Sequence, residues 1–343
     1  MSDTLTSTST SNMTSYLTKF WQFFKKVWLF LANAIGSLVL LLIILAFLGS
    51  SLSENATNLP TISKKVIRPG GNEVVAVVNL SGPILESGQT TDPLGFSSTM
   101  IAVDRVKELL TALEDDGAVK AVVLRINSPG GAVVASDELY QVVKQLNSVK
   151  PVVVSMGDMA ASGGYYIAAP SSEIIANPAT ITGSIGVIAQ FPQLSGLYEK
   201  LGVEMRTFKS GEFKDIGAVD REMTQAEAEI LDSIVTDSYD QFVQAVTTGR
   251  NLPEEEVRRL ADGRIYSGRQ AQANGLIDQL GNLDTAIQSA ERLASVDGAE
   301  VIEYSNQSFF ESLLQSVSIR SPLAQLNQAL PSTSFRLYYL LDL

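Results

Sequence analysis

Apolar and polar positions over residues 73–304 fall into two alternating patterns. Short runs rich in β-branched residues predict strands, and segments with apolar positions three or four apart predict helices. The runs are residues 74–80, 119–126, 151–156, 173–176, 185–189 and 205–208, and the helical segments lie near 103–113, 136–146, 163–169, 193–201, 254–260, 269–273 and 283–294. Strands that alternate with short helices predict an α/β fold with largely parallel pairing, here as one domain over residues 72–304.

The clearest helix is predicted over residues 225–248. Thr224 and Glu227 have the spacing of a capping box, in which each side chain bonds the backbone amide of the other residue. Apolar positions then repeat at helical spacing up to Gly249, which is predicted to end the helix.

An uncharged apolar run, residues 27–48, precedes this domain. As a helix it spans roughly 33 Å, enough to cross a hydrocarbon layer of about 30 Å. Lys25 and Lys26 lie just before the run, whereas residues 50–63 contain no Lys or Arg. The positive-inside rule therefore predicts a single transmembrane helix with residues 1–26 in the cytoplasm and the rest outside. The alternative is a cleaved signal peptide, whose apolar core is typically only about 7–15 residues long.

Two further segments flank the predicted domain. Residues 49–71 are rich in Ser, Asn and Thr, a composition that predicts a linker. Residues 305–343 form a C-terminal tail that ends in a mostly apolar stretch, residues 335–343. Such a stretch is not expected to remain exposed, and we expect it to pack between subunits rather than to fill a substrate groove.

The composition excludes several kinds of chemistry, because the chain contains neither histidine nor cysteine. Ser-His-Asp and Cys-His catalysis, disulfides, and imidazole or thiolate metal sites are therefore impossible. We predict no metal and no cofactor. The formal net charge of −12, with no basic run, argues against nucleic acid as a partner.

Two glycine-containing turns each follow a predicted strand. Residues 127–131 (NSPGG) hold backbone amides with no side chains in the way, which can bind an oxyanion. Residues 159–166 (MAASGGYY) place Ser162 between a strand and a helix, as in a nucleophile elbow. Each stretch taken alone is also typical of an ordinary turn or of a serine that caps a helix.

If Ser162 is a nucleophile in a chain without histidine, the expected proton acceptor is a lysine. Lysine is charged at neutral pH, so burial must lower its pKa before it can act as a base. Lys209 and Lys214 lie together in residues 208–217, and physical chemistry alone does not choose between them. Ser184 is a second hydroxyl that can hold a neutral lysine in position, although its stretch, residues 182–186, is also typical of a loop that leads into a strand.

Four stretches, in this order, make the chain resemble the signal peptide peptidase A (protease IV) family of membrane-anchored bacterial serine proteases. They are residues 125–131 (RINSPGG), 158–165 (DMAASGGY), 181–186 (ITGSIG) and 209–215 (KSGEFKD). The resemblance covers roughly residues 74–290, with one copy of the motif set, as in the short, single-domain members. It implies a fold related to the crotonases and to the Clp protease subunit.

The resemblance also implies roles for individual residues. It implies Ser162 as the nucleophile, Lys214 as the general base and Ser184 as the hydroxyl that orients the lysine. The amides of Gly131 and Gly163 are implied as the oxyanion hole. The family further implies homo-oligomers, in which the short form can need a neighbouring subunit to complete the dyad. The expected substrates are apolar peptides such as cleaved signal peptides, at the extracytoplasmic face of the bacterial inner membrane.

Two alternatives from other functional classes stay open at this point. A crotonase-like enzyme would use paired backbone amides to polarise the thioester of an acyl-CoA, usually with carboxylates nearby. A non-catalytic scaffold, anchored in the membrane, would use the acidic domain only for assembly and would not depend on Ser162 or Lys214.

Overall fold

The computed structural model describes residues 63–86, 100–305 and 338–340, together with Trp21, Lys25, Lys26 and Trp28. The chain divides into two compact units, Met1–Pro60 and Thr61–Leu343. The predicted membrane segment, residues 27–48, lies outside the described residues except for Trp28. Among the residues that are described, no helix is both long enough and apolar enough to cross a membrane.

The secondary structure of the second unit confirms the predicted α/β class. Its described strands are β1 (Ser63–Arg68), β2 (Val74–Ser81), β3 (Ile84–Leu85), β4 (Ile101–Ala102), β5 (Val119–Ser128), β6 (Gly130–Ala132), β7 (Val152–Ala161), β8 (Glu173–Ala176), β9 (Ile181–Gly183), β10 (Ile265–Ser267), β11 (Gln279–Leu280), β12 (Glu300–Ser305) and β13 (Tyr338–Leu340). Its described helices are α1 (Val103–Asp115), α2 (Val133–Val149), α3 (Gly163–Ala168), α4 (Ser195–Leu201), α5 (Gln225–Arg250), α6 (Glu254–Leu260), α7 (Gly268–Ala273) and α8 (Leu283–Ala294).

The strands form one large and one small sheet. In the large sheet the order is β1-β12-β2-β5-β7-β8-β11, and every pair along it is parallel except β1 with β12. Strand β9 pairs in parallel with the C-terminal end of β7 and antiparallel with β10. The small sheet has the order β13-β6-β3-β4. Strands β6 and β9 therefore lie at the end of the large sheet where β5 and β7 finish.

Both faces of the central strands are covered, which explains why these strands are almost continuously apolar. Because successive side chains of a strand point to opposite faces, Val75 and Val77 pack with Ile287 of α8 on one side. Ala76 and Val78 belong to the core on the other side, which contains the buried faces of α1, α2, α3 and α5. This double-sided packing makes the sheet a rigid support for the turns at its C-terminal end.

The predicted linker, residues 49–71, is wrong at its C-terminal end, because Ser63–Arg68 forms the edge strand β1. Lys65 lies opposite Glu303 in the register, and Arg68 forms an ion pair with Glu291. Charged residues on an edge strand discourage pairing with other chains. Because these charges replace the apolar alternation of a half-buried strand, the segment lacks the usual strand pattern.

Two predicted strands are also wrong. In the first, residues 185–189, no strand forms and Ile188 makes only an isolated β-bridge, since strand β9 is Ile181–Gly183. The second, residues 205–208, belongs to a segment in which no residue is buried, residues 186–226, which we call the lysine arm. Phe208 on this arm is 97% exposed. Apolar residues there resemble those of a strand, but the arm offers them no sheet edge and no core.

Helix α5 carries the predicted capping box. The Thr224 hydroxyl accepts a hydrogen bond from the Glu227 amide, and the Glu227 carboxylate accepts one from the Thr224 amide. The prediction that Gly249 ends the helix is wrong. The helix continues to Arg250, after which Asn251 adopts a left-handed conformation with φ 50°. Gly249 has a packing role instead, because a Cβ there would lie 2.2 Å from the carbonyl oxygen of Ala169.

An aromatic contact fixes α5 against the short helix α3. The Tyr166 ring on α3 lies edge-on to the Phe242 ring of α5, with centroids 5.0 Å apart. The Tyr140 ring of α2 lies 5.0 Å from the same tyrosine. The three rings are buried, so they connect α3 to the two longest described helices around it.

We expect Phe242→Ala to lower the free energy of unfolding by about 3–5 kcal/mol, because it removes a fully buried ring and leaves a cavity. Urea unfolding of the full chain, followed by circular dichroism, measures the change. The control is Val149→Ala, at an exposed position of α2, which should change the stability by less than about 0.5 kcal/mol. Equal effects of the two substitutions would contradict the assignment of Phe242 to the core.

Candidate active site

Ser162 lies at the turn between strand β7 and helix α3, as the sequence predicts. Its side chain is 1% exposed, and its backbone has φ 54° and ψ −119°. A positive φ is uncommon for any residue other than glycine and costs about 1–3 kcal/mol. The sharp turn places a buried hydroxyl directly before the first amide of a helix, which is the geometry of a nucleophile elbow.

Ser184 is joined to this turn through the backbone. The Ser162 amide donates to the Gly183 carbonyl oxygen at 2.7 Å, and the Ser184 amide donates to the Arg264 carbonyl oxygen at 2.9 Å. Ser184 also has a positive φ, 50°. Elsewhere among the described residues other than glycine, positive φ occurs at Asn251 and Ser295, which cap helices at their C-terminal ends. The two strained serines, Ser162 and Ser184, therefore lie next to each other, and neither of them caps the C-terminal end of a helix.

The glycine turn after β5 lies against the same site. The Gly130 amide donates to the Ser128 hydroxyl at 3.1 Å. Gly131 cannot be replaced by a larger residue, because a Cβ there would lie 1.9 Å from the Ile84 carbonyl oxygen. At Gly164, a Cβ would lie 3.0 Å from the Ser128 carbonyl oxygen, so the glycine turn and the start of α3 are in close contact.

Helix geometry leaves the Gly163 amide available. Gly163 is the first residue of α3, and the first four amides of a helix have no acceptor within the helix. The structure thus brings Ser162, Gly163, Gly131 and Ser184 together at the C-terminal ends of β5 and β7. These are four of the five site residues expected from the sequence.

Strand β6, which contains Gly131, has a further strand on its outer edge. Residues Tyr338–Leu340 pair antiparallel with it as β13, with Tyr339 opposite Gly131. These residues belong to the tail that is expected to pack between subunits, and for them the prediction is wrong, because they pair with a strand of their own chain. Ser305 ends β12, and the other tail residues lie outside the described residues. The edge of β6 therefore accepts an extended peptide segment in antiparallel register.

Lys214, the fifth expected site residue, is exposed on the lysine arm. Its amine makes no hydrogen bond or ion pair with any residue that the structure describes. The Lys209 amine, by contrast, donates to the Glu212 carbonyl oxygen at 2.8 Å and to Asp215 Oδ1 at 2.7 Å. A single subunit therefore does not provide the burial that a lysine base requires.

An open pocket of about 570 Å³ lies beside Ser184. The loop after β9, helix α5 and the residues before β10 line it, with Val235, Tyr239 and Asp262 among the contributors. The part of the lysine arm around Lys214, residues 203–223, contributes none of the lining residues. The pocket provides partly enclosed space next to the hydroxyl that is expected to hold the lysine.

An ion-pair cluster at the base of the lysine arm was not predicted from the sequence. The Arg221 guanidinium contacts both Asp215 and Glu227, and it lowers the pKa of the Glu227 carboxyl, with help from the Thr224 amide, to about 2. The same guanidinium, together with the Lys209 amine, holds the pKa of the Asp215 carboxyl well below its usual range. The only signal in the sequence is an arginine three residues before a capping box.

The described residues contain no group of three or more acidic side chains that could hold a metal ion. Next to the glycine turn after β5, the site brings together one hydroxyl in a strained turn, the first backbone amide of α3 and a second serine, Ser184. This arrangement suits acyl transfer, in which a nucleophile attacks a carbonyl carbon and amides stabilise the oxyanion.

Comparisons with known proteins agree with this geometry. A family model described as Peptidase family S49 matches residues 144–297, and one described as Clp protease matches residues 96–180. Both ranges contain Ser162 and the turn that positions it.

Individual relatives cover more of the chain. It is 36% identical over 296 residues to a protein of Enterococcus faecium with the provisional name signal peptide peptidase SppA. The aligned residues are 82% of this chain and 85% of that protein. It is 47% identical over 203 residues to a provisionally named protease of Synechocystis, which covers 59% of this chain and 73% of the relative. Protease 4 of Haemophilus influenzae is 36% identical over 222 residues, which are 64% of this chain and 35% of that protein.

These relatives favour the protease over the acyl-CoA enzyme and the non-catalytic scaffold, since they are named as peptidases and proteases. The match to the Clp protease model also agrees with the predicted Clp protease-like fold for residues 96–180. The chain belongs to peptidase family S49, and it is a serine protease.

Proposed function

We propose that this serine protease hydrolyses peptide bonds with a Ser–Lys dyad formed by Ser162 and Lys214. The observation that carries the proposal is the strained, buried turn at Ser162, because such strain persists only where the surrounding structure enforces it. The absence of histidine from the sequence leaves lysine as the most suitable base for a serine nucleophile.

The contacts of the two candidate lysines favour Lys214 as the base. The Lys209 amine is already held by the Asp215 carboxylate, 2.7 Å away, and by the Glu212 carbonyl oxygen. The Lys214 amine has no such partner among the described residues. It is therefore available to enter an apolar environment, in which the neutral form is favoured.

We further propose that two subunits complete the dyad. Lys214 lies on an arm without buried residues, whereas the pocket beside Ser184 is partly enclosed. Insertion of the arm of one subunit against the Ser184 pocket of its neighbour would bury the amine and place it near Ser162. Such a contact would also cover the exposed apolar residues of the arm, among them Met205, Phe208 and Phe213.

The proposed reaction follows the general course of acyl transfer. Neutral Lys214, oriented by the Ser184 hydroxyl, accepts the Ser162 proton as Oγ attacks the scissile carbonyl carbon. The amides of Gly131 and Gly163 stabilise the oxyanion, and one such donor typically contributes about 10²–10³ in rate. The lysine then donates its proton to the leaving amine, and water hydrolyses the acyl-enzyme.

The edge of β6 supports extended peptides as the substrates. Strand β13 pairs there with the segment that contains Gly131, and a substrate strand in the same register would present its carbonyls to the same amides. We propose apolar peptides such as cleaved signal peptides as the substrates of a homo-oligomer. Residues 27–48 would anchor it in the bacterial inner membrane, with the protease domain on the extracytoplasmic side.

We expect Ser162→Ala and Lys214→Ala each to reduce cleavage of a synthetic apolar peptide by at least about 10³-fold, since each removes one member of the dyad. A fluorophosphonate probe should label the wild-type chain and not Ser162→Ala. Lys209→Ala is the matched variant for the second lysine and should retain activity within about tenfold. Full cleavage by Ser162→Ala or by Lys214→Ala would rule out the proposed dyad.

Removal of β13 should improve peptide binding, because the strand and the substrate use the same edge of β6. We expect a chain truncated after Leu337 to have a KM for the peptide several-fold lower than that of the wild type. A chain truncated after Leu340, which keeps β13, is the control and should have an unchanged KM. If the longer deletion leaves KM unchanged or raises it, substrates do not bind at this edge.

A further inference from the structure

We propose that Arg221 is a positioning residue for Lys214, because its guanidinium joins the carboxylate next to that lysine to the fixed start of helix α5. The inference rests on the proposed Ser162–Lys214 dyad. It concerns a residue outside the reacting groups, which would determine where the lysine arm presents its amine.

The first half of the contact fixes Asp215, the residue that follows Lys214. Arg221 Nε donates to Asp215 Oδ2 at 3.1 Å, and Arg221 Nη2 lies 3.0 Å from Oδ1 and donates to the Asp215 carbonyl oxygen at 3.2 Å. The Lys209 amine also donates to the same carboxylate, at Oδ1. Both the side chain and the backbone of the neighbour of Lys214 are therefore held.

The second half of the contact connects Arg221 to the protein core. Its Nη1 donates to Glu227 Oε2 at 2.8 Å, and Nη2 bonds Oε1. The Glu227 side chain is only 2% exposed and also accepts the Thr224 amide at 2.9 Å. Glu227 is thus part of the capping box of α5, the helix whose Phe242 packs against α3.

This connection is important because the part of the lysine arm around Lys214, residues 203–223, contributes no residue to the hydrophobic core. None of these residues is buried, so polar contacts are the main interactions that fix the course of this part of the arm. Isolated surface ion pairs contribute little to stability, but a guanidinium that binds two carboxylates, one of them buried, also has defined geometry. A shift of about 1 Å in a catalytic group can reduce a rate by about 10²-fold.

Lysine is not expected to replace Arg221. Its ammonium is a single charged point, whereas the planar guanidinium presents five donors in a fixed fork. A lysine at position 221 keeps the charge that Glu227 requires, but it cannot bind both carboxylates and the Asp215 carbonyl oxygen together. Arg221→Lys therefore separates the geometry of the contact from its charge.

The test compares kcat and KM for peptide cleavage by the full chain. We expect Arg221→Ala and Arg221→Lys to lower kcat by about 10–100-fold while KM changes by less than about twofold. The matched control is Arg206→Ala, an exposed arginine of the same arm whose ion pair with Glu204 is 3.6 Å long. It should leave both constants unchanged. A wild-type kcat for Arg221→Lys would overturn the proposal.

A second variant separates positioning from stability. Arg221→Ala leaves the Glu227 charge buried without its partner, which should lower the urea midpoint, and adding Glu227→Gln removes that charge. We expect the double variant to recover most of the stability while its kcat stays as low as that of Arg221→Ala. Recovery of kcat together with stability would show that Arg221 only stabilises the fold.

Lys214→Ala, measured in parallel, separates this inference from the proposed dyad. If Lys214→Ala is fully active, the dyad itself is wrong, whatever the Arg221 variants do. If Lys214→Ala is inactive and Arg221→Lys has the wild-type kcat, the dyad stands and only the positioning role of Arg221 is wrong.

Discussion

The candidate active site depends on one backbone hydrogen bond, from the Ser162 amide to the Gly183 carbonyl oxygen, 2.7 Å long. This bond ties the turn after β7 to the end of β9 and so holds Ser162 in a conformation that serine normally avoids. The strain is compensated by the double-sided core of the large sheet, from which both strands extend. The proposed nucleophile thus lies where two strands of the large sheet end, next to its double-sided core.

The lysine is supported in a different way. The arm that carries Lys214 has no core of its own, and its exposed apolar residues favour contact with a second copy of the chain. Its local course is set by polar contacts, above all those of Arg221 with Asp215 and Glu227. In the proposed enzyme the Ser162 turn of one subunit meets the lysine arm of another when the subunits assemble. Peptide hydrolysis would therefore be confined to the oligomer.

The sequence predicted what local patterns determine. The alternation of apolar runs and helical segments identified the sheet and its helices, and the strand-to-helix position of Ser162 and the capping box of α5 were both found. Features that depend on distant partners were missed. Strand β1 was missed because it contains charged residues, such as Lys65 opposite Glu303 of β12, in place of an apolar alternation. The Arg221 contacts were missed because the residue types alone do not indicate that these side chains meet. In the proposed enzyme the burial of Lys214 depends on a second chain, so neither the local sequence pattern nor the contacts within one chain indicate it.

The most direct test of the shared dyad mixes two inactive variants. Ser162→Ala and Lys214→Ala subunits, combined in equal amounts under conditions that let subunits exchange, would form some sites with an intact Ser162 from one chain and an intact Lys214 from its neighbour. With random assembly we expect about a quarter of the wild-type peptidase activity. A mixture that stays as inactive as either variant alone would contradict a dyad completed between subunits.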